Sequence, residues 1–201
     1  MKEFSDHFNK AEVKIDPGKT AVLVVDLVND FMNEGGKMVL TGGKAVVEPI
    51  KQIINTAKAK GAIVVYIKDF HRIDKKDAEF NIREPHCIEG TWGAELIDEM
   101  SPQPEDYIIQ KRRFSAFFQT DLDLILRENK IETLIVVGVV TNICVRSTVH
   151  DGFFRGYACV VPQECVMATA PREQESSLWD IDTHFGWVMS KNDVIIKINQ
   201  G

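Results

Sequence analysis

Long apolar runs are missing from this sequence. The longest, residues 21–25 and 134–140, are strand length and far short of the ~20 residues a membrane-spanning helix needs, so no membrane partner is expected. Residues 1–10 alternate charges with isolated phenylalanines and lack the apolar centre of a signal peptide. Cysteine is sparse: Cys87, Cys144, Cys159 and Cys165 are the only four in 201 residues, which does not suggest a disulfide scaffold. Reduced thiols and a cytoplasmic location are therefore expected. Surplus positive charge is absent as well. A formal net charge of −6 with no extended Lys/Arg run repels phosphate backbones, which argues against nucleic acid as a partner. No GxGxxG follows a strand-like run and no GxxxxGK(S/T) occurs, so no nucleotide cofactor is expected. Internal repeats and low-complexity segments are lacking too.

What is present is an ordinary globular balance, 44% hydrophobic and 27% charged, in a length that suits one α/β domain over residues 1–201. Residues 21–27 (AVLVVDL), 63–67 (IVVYI), 134–140 (LIVVGVV) and 157–161 (YACVV) are rich in Val and Ile without polar alternation. That is the pattern of strands covered on both faces. Helix-period segments lie between them. Residues 44–60 put Val47, Ile50, Ile53, Ile54 and Ala57 on one face and stop at Gly61. Residues 120–129 start on a capping Thr or Asp and bury Leu122, Ile125 and Leu126. Further helices are expected over about 142–155, closed by Gly156, and over 172–183, after Pro171. The alternation predicts a doubly wound, three-layer α/β/α sandwich on a mainly parallel sheet of about six strands. In such sheets the functional crevice lies beyond the carboxyl ends of the strands. The aperiodic stretch 68–106, with Pro85, Pro102 and Pro104, has the length at which loops tend to carry function.

Three reactive residues fall at such strand ends. Cys144 follows the 134–140 run where the next helix begins, so backbone N–H groups and the helix dipole would favour a thiolate and hold an oxyanion. Alone, it reads as readily as a small apolar side chain at a strand–helix junction. Asp26 ends the first strand after five apolar residues, and a buried acid needs a partner or a task. Asp30, four residues on, is its rival. Lys111 follows Ile108–Ile109 and could keep both a carboxylate and a thiolate charged, although it also reads as one member of a surface KRR cluster. Arrival of all three at one crevice is what singles them out. His150 lies six residues after Cys144, about 240° around a helix, and is rejected as its partner.

Asp69 and His71 form a second set just beyond the strand 63–67. In an extended chain their side chains point the same way, and His86 could supply a third ligand. One carboxylate and two imidazoles with open positions suit a catalytic Zn²⁺ or Fe²⁺. Cys87 is not chosen, because neighbours on an extended chain face opposite ways. Phe31, Trp92 and Phe114 are candidate walls of the substrate pocket.

The segments VVDLVNDF, KRRFSAFFQTDLDLILR and GVVTNICVRSTVHDGFFRGY resemble the isochorismatase-like cysteine hydrolases. That family includes nicotinamidases, N-carbamoylsarcosine amidohydrolases and ureidoacrylate amidohydrolases, and the resemblance runs from about Thr20 to Val188. It implies hydrolysis of a small amide, with Asp26, Lys111 and Cys144 as the catalytic set. It also implies a cis peptide joining Val139 to Val140, and an oxyanion hole from the N–H groups of Val140 and Cys144. Asp69, His71 and His86 match the nicotinamidase metal site, so a divalent metal is implied, and a homodimer or homotetramer is expected. Two features depart from nicotinamidases: Arg83-Glu84-Pro85-His86 replaces a W-P-x-H arrangement, and the C-terminal DIDTHFGWV looks closer to the ureidoacrylate branch. A nicotinamidase-like amidohydrolase is thus the first expectation and a ureidoacrylate- or carbamoyl-cleaving enzyme the alternative. A non-catalytic binding protein on the same scaffold is the rival from another class.

Overall fold

The computed structural model describes residues 9–201; residues 1–8 of the N-terminal segment read above lie outside the described residues. In chain order the elements are β1 (Thr20–Val25), the single turn α1 (Asn29–Met32), α2 (Val47–Ala59), β2 (Ile63–Asp69) and β3 (Tyr107–Lys111). Then come α3 (Leu122–Glu128), β4 (Thr133–Val139), α4 (Arg146–Phe154), β5 (Ala158–Pro162) and β6 (Val166–Met167). The chain ends with α5 (Pro171–Asp180), β7 (Trp187–Met189) and α6 (Lys191–Gln200).

Six strands lie in the order β3-β2-β1-β4-β5-β7, and all their pairings are parallel. The two-residue β6 pairs with the end of β4 and makes the sheet seven-stranded. It exceeds the expected count because two residues carry no periodic signal. The chain builds outward through β1, β2 and β3, then returns to the other side of β1 with β4. The switch point, where such folds open a crevice, therefore lies between β1 and β4.

Period-two alternation explains the three layers. Val22, Val24, Val64, Tyr66, Ile135 and Val137 meet Ile50, Ile53 and Ile54 of α2 and Val194 and Ile198 of α6 on one face. Ala21, Leu23, Val65, Ile67, Leu134 and Val136 meet Leu122 and Leu126 of α3 and Val149 of α4 on the other. Each such Leu or Ile contributes about 2 kcal/mol through burial. Gly138, paired with Val25 across β1 and β4, has φ +114°, and a Cβ there would lie 2.0 Å from the Val25 carbonyl oxygen. Only glycine allows the two strands to meet at that register.

Boundaries differ from expectation where the site begins. β2 continues through Lys68 and Asp69, both buried, beyond its apolar run. The helix expected from about 142 opens instead with a π turn, Thr141–Val145, before α4. The helix expected over 172–183 likewise gives way to a π turn at Ile181–Phe185. Between β2 and β3 the chain forms single 3₁₀ turns, Glu79–Asn81 and Trp92–Ala94, tied by bridges between His71 and Ile88 and between Val28 and Leu96. Among the described residues, no helix is long and apolar enough to cross a membrane.

Candidate active site

The carboxyl ends of β3, β2, β1 and β4 deliver Lys111, Asp69, Asp26 and Cys144 to one place. Burial alternates along the edge strand β3, so Ile109 and Lys111 face inward while Ile108 and Gln110 face out. This alternation makes Lys111 fully buried despite its basic neighbours. Asp26 follows β1 directly in a left-handed conformation (φ 55°), and its N–H donates to the Ile67 carbonyl at 2.9 Å. Lys111 Nζ lies 2.8 Å from Asp26 Oδ2, 3.3 Å from Asp69 Oδ1 and 3.5 Å from Cys144 Sγ. The peptide joining Val139 to Val140 is cis.

Burial sets the ionisation of this group. It pushes the Asp26 carboxyl up to about 6, with Lys111 opposing and Asp69 adding to the rise. Burial alone would lower the Lys111 ammonium, but Asp26, Asp69 and Cys144 together hold it well above its ordinary value. Burial also drives the Cys144 thiol well up, and the lowering by Lys111 does not offset it. This corrects the expectation of a thiolate favoured by a helix N-terminus. Cys144 sits in the π turn ahead of α4 and is only 5% exposed, so desolvation outweighs the dipole. Burial thus favours the neutral thiol, and Asp26 shares the Lys111 ammonium with it.

Asp69 links this trio to the second set. Its Oδ2 lies 3.2 Å from His86 Nε2 and 3.5 Å from His71 Nε2. Burial would raise its carboxyl, but Lys111 and the two histidines hold it far below the usual range. Glu79, which the sequence reading missed, completes the cluster: ligand atoms of Asp69, His71, Glu79 and His86 all lie within 4.8 Å of one another. The donor chemistry fits a divalent cation. His71 Nδ1 is held by Asp77 Oδ2 at 2.9 Å and His86 Nδ1 by the Glu84 carbonyl at 2.7 Å. Both imidazoles thus turn Nε2 toward the shared centre, each oriented by an acceptor on its other nitrogen as metal-binding histidines usually are. His71 Nε2 is buried without a hydrogen-bond partner among the described residues.

A cavity of about 240 Å³ opens over both sets, with Cys144, Asp69, Glu79 and His86 in its wall. The candidate walls Phe31 and Phe114 line it, together with Val140, Met38, Val39, Leu40, Ile143, Arg83 and Thr169. Trp92 does not. It is 54% exposed and absent from the lining, because its neighbour Gly93 turns inward against Asp30, where a Cβ would meet the carboxylate at 2.3 Å. Asp30 is no rival base: its oxygens accept from the N–H groups of Lys37 (3.0 Å) and Cys87 (2.7 Å) and so anchor the loop carrying His86. His150 stacks on Phe185 at 3.8 Å between ring centroids, outside the cavity lining. Cys87 packs with Val28 and Ala94 and contributes no atom to the cluster. Glu79 and Asp77 escaped notice, and Arg83 stood out only as a departure from the W-P-x-H arrangement, because they lie in the aperiodic stretch, where spacing says nothing about direction.

Comparison with known proteins agrees with this geometry. The sequence model described as Isochorismatase domain matches residues 20–193. A ureidoacrylate amidohydrolase RutB of Acinetobacter baylyi is 35% identical over 88% of this chain and 82% of its own. The crystal structure of N-carbamoylsarcosine amidase from Thermoplasma acidophilum superposes with TM-score 0.77 at 34% identity, over 87% of this chain and 97% of that one. The pyrazinamidase/nicotinamidase of Streptococcus mutans superposes with TM-score 0.80 at 27% identity, over 85% and 99%.

Proposed function

The chain belongs to the isochorismatase family, and on that premise we propose that it is a cysteine amidohydrolase cleaving the C–N bond of a small amide through a thioester on Cys144. The observation that carries this reading is the position of Lys111, 2.8 Å from Asp26 and 3.5 Å from the sulfur of Cys144, which itself lines a cavity sized for a small substrate.

Asp26 takes the Cys144 proton as the sulfur attacks the amide carbonyl. Lys111 stays cationic and keeps the carboxylate and sulfur in register. The N–H groups of Val140 and Cys144 receive the developing oxyanion. Asp26 then returns the proton to the leaving nitrogen, and the C–N bond breaks. Water enters, Asp26 accepts its proton, and the hydroxide releases the acyl group as a carboxylic acid while the thiol is restored.

Asp69, His71, Glu79 and His86 would hold a divalent metal, Zn²⁺ or Fe²⁺, which supplies Lewis-acid orientation of a substrate atom or a water. Family resemblance further supports a cytoplasmic homodimer or homotetramer. Ammonia release from a panel headed by nicotinamide and followed by carbamoyl and ureidoacrylate-like amides tests the proposal. Release should vanish in Cys144→Ala, and residual turnover above a few per cent would refute the covalent route. A second reading, cleavage of an acyclic ureido or carbamoyl substrate rather than nicotinamide, is favoured by the higher identity to the ureidoacrylate and carbamoylsarcosine relatives.

A further inference from the structure

We infer that Arg83 sets the specificity of this cavity and that the substrate is a small amide bearing a free carboxylate. The inference rests on the amidohydrolase reading above and names its substrate class.

Arg83 lines the same cavity as Cys144. Its guanidinium lies over the Phe114 ring, 5.9 Å from the centroid, and makes no ion pair or side-chain hydrogen bond among the described residues. Arg113, Arg127, Arg146 and Arg155 are each held by an aspartate, and Arg72, Arg112 and Arg172, which also make no ion pair among the described residues, do not line this cavity. The acids within reach of the cavity are already engaged. Asp69 faces Lys111 and His86, and Glu79 faces His86 at 3.6 Å.

The backbone under Arg83 is fixed. Its N–H donates to the Glu79 carbonyl at 3.1 Å, so the residue closes the 3₁₀ turn that carries Glu79. A planar cation placed over an aromatic ring at cation–π range, anchored at its base and lacking a counter-charge, presents an open fork of N–H donors. Carboxylate is the group that matches such a fork, with two parallel charge-assisted hydrogen bonds. The rest of the lining away from the reactive groups is largely apolar, with Phe31, Met38, Leu40 and Ile143. A neutral amide would leave the charge unused, and a cationic one would be repelled.

The test compares an N-carbamoyl amino acid with the matching N-carbamoyl amino alcohol, which differ only in the carboxylate. Ammonia release by the wild-type protein should favour the acid on the order of 10- to 100-fold in kcat/KM, expressed mainly in KM. Arg83→Met should bring that ratio to within about threefold of unity, and Arg83→Lys should keep part of it. A ratio that Arg83→Met leaves unchanged, or a wild-type protein indifferent to the carboxylate, overturns the inference. Calorimetric titration of the acid into Cys144→Ala protein, with and without Arg83→Met, reads the same contact without turnover. Binding should weaken at least about tenfold in the double variant; equal binding, or none in either, overturns it. Binding that depends on Arg83 in a protein that hydrolyses no amide would instead retire the amidohydrolase reading. Hydrolysis of neutral amides with no role for Arg83 would retire only the present inference.

Discussion

The ammonium of Lys111 lies 2.8 Å from Asp26 Oδ2 with both side chains wholly buried, and 3.3 Å from the nearly buried Asp69. One cation thus serves two acids and a thiol where water cannot. Removing one partner of a buried pair strands the other, at a cost of about 3–5 kcal/mol. Lys111→Met should therefore lower stability by about 3 kcal/mol or more, read from the urea midpoint. Asp26→Asn should cost clearly less, since Lys111 retains Asp69. Equal losses would contradict this division of roles.

Cys144→Ala should abolish turnover by at least about 1,000-fold while leaving the melting temperature near that of the parent, because the sulfur is a small buried group. Acid quenching of the wild-type reaction should trap an acyl adduct on Cys144 by mass spectrometry. Full turnover without an adduct on that peptide would exclude the thioester.

Asp26 has to be ionised to accept the thiol proton, and burial has moved its carboxyl up to about 6. Below that pH the carboxyl is protonated and cannot act as base. The value of kcat/KM should accordingly rise with pH through about 6 and level off above it. A profile flat from pH 5 to 7 would show that Asp26 is not the base.

His71→Ala or Glu79→Gln should reduce bound metal per chain as measured by plasma mass spectrometry. Asp77→Asn, which loosens His71 without touching the ion, should weaken metal affinity about 10- to 100-fold. Full metal content in all three variants would refute the assigned ligands.

Gly138→Ala should destabilise the protein by about 1–3 kcal/mol or prevent its folding. The added methyl group meets the Val25 carbonyl, and φ is +114°. Near-parental stability in a urea titration would contradict the close approach of β1 and β4.

Much of this arrangement was legible before any coordinates. Uninterrupted Val/Ile runs announce strands covered on both faces, and an acid placed directly after one, as Asp26 is, needs a reason to be there. Lys111 was harder, since its basic neighbours disguise it; only the period of two shared with Ile109 turns it inward. Asp69 and His71 were readable for the same reason. Glu79 and Arg83 were not, because the chain between β2 and β3 has no period to fix which way a side chain points. Trp92 was misplaced by the assumption that a loop aromatic seeks the pocket, whereas the close packing of Gly93 on Asp30 decides that turn. The π turn at Cys144 left no trace either, since an inserted residue changes no composition.

The four strand ends bring together residues far apart along the chain: Lys111 is 42 positions from Asp69 and 33 from Cys144. No hairpin or helix can assemble any two of them on its own. During folding, the sulfur therefore remains an ordinary thiol until the central strands have closed beside one another. Chemical competence arrives last and all at once, and a nascent or truncated chain carries no half-armed nucleophile. Recovery of amide turnover during refolding is thus a clock for completion of the sheet.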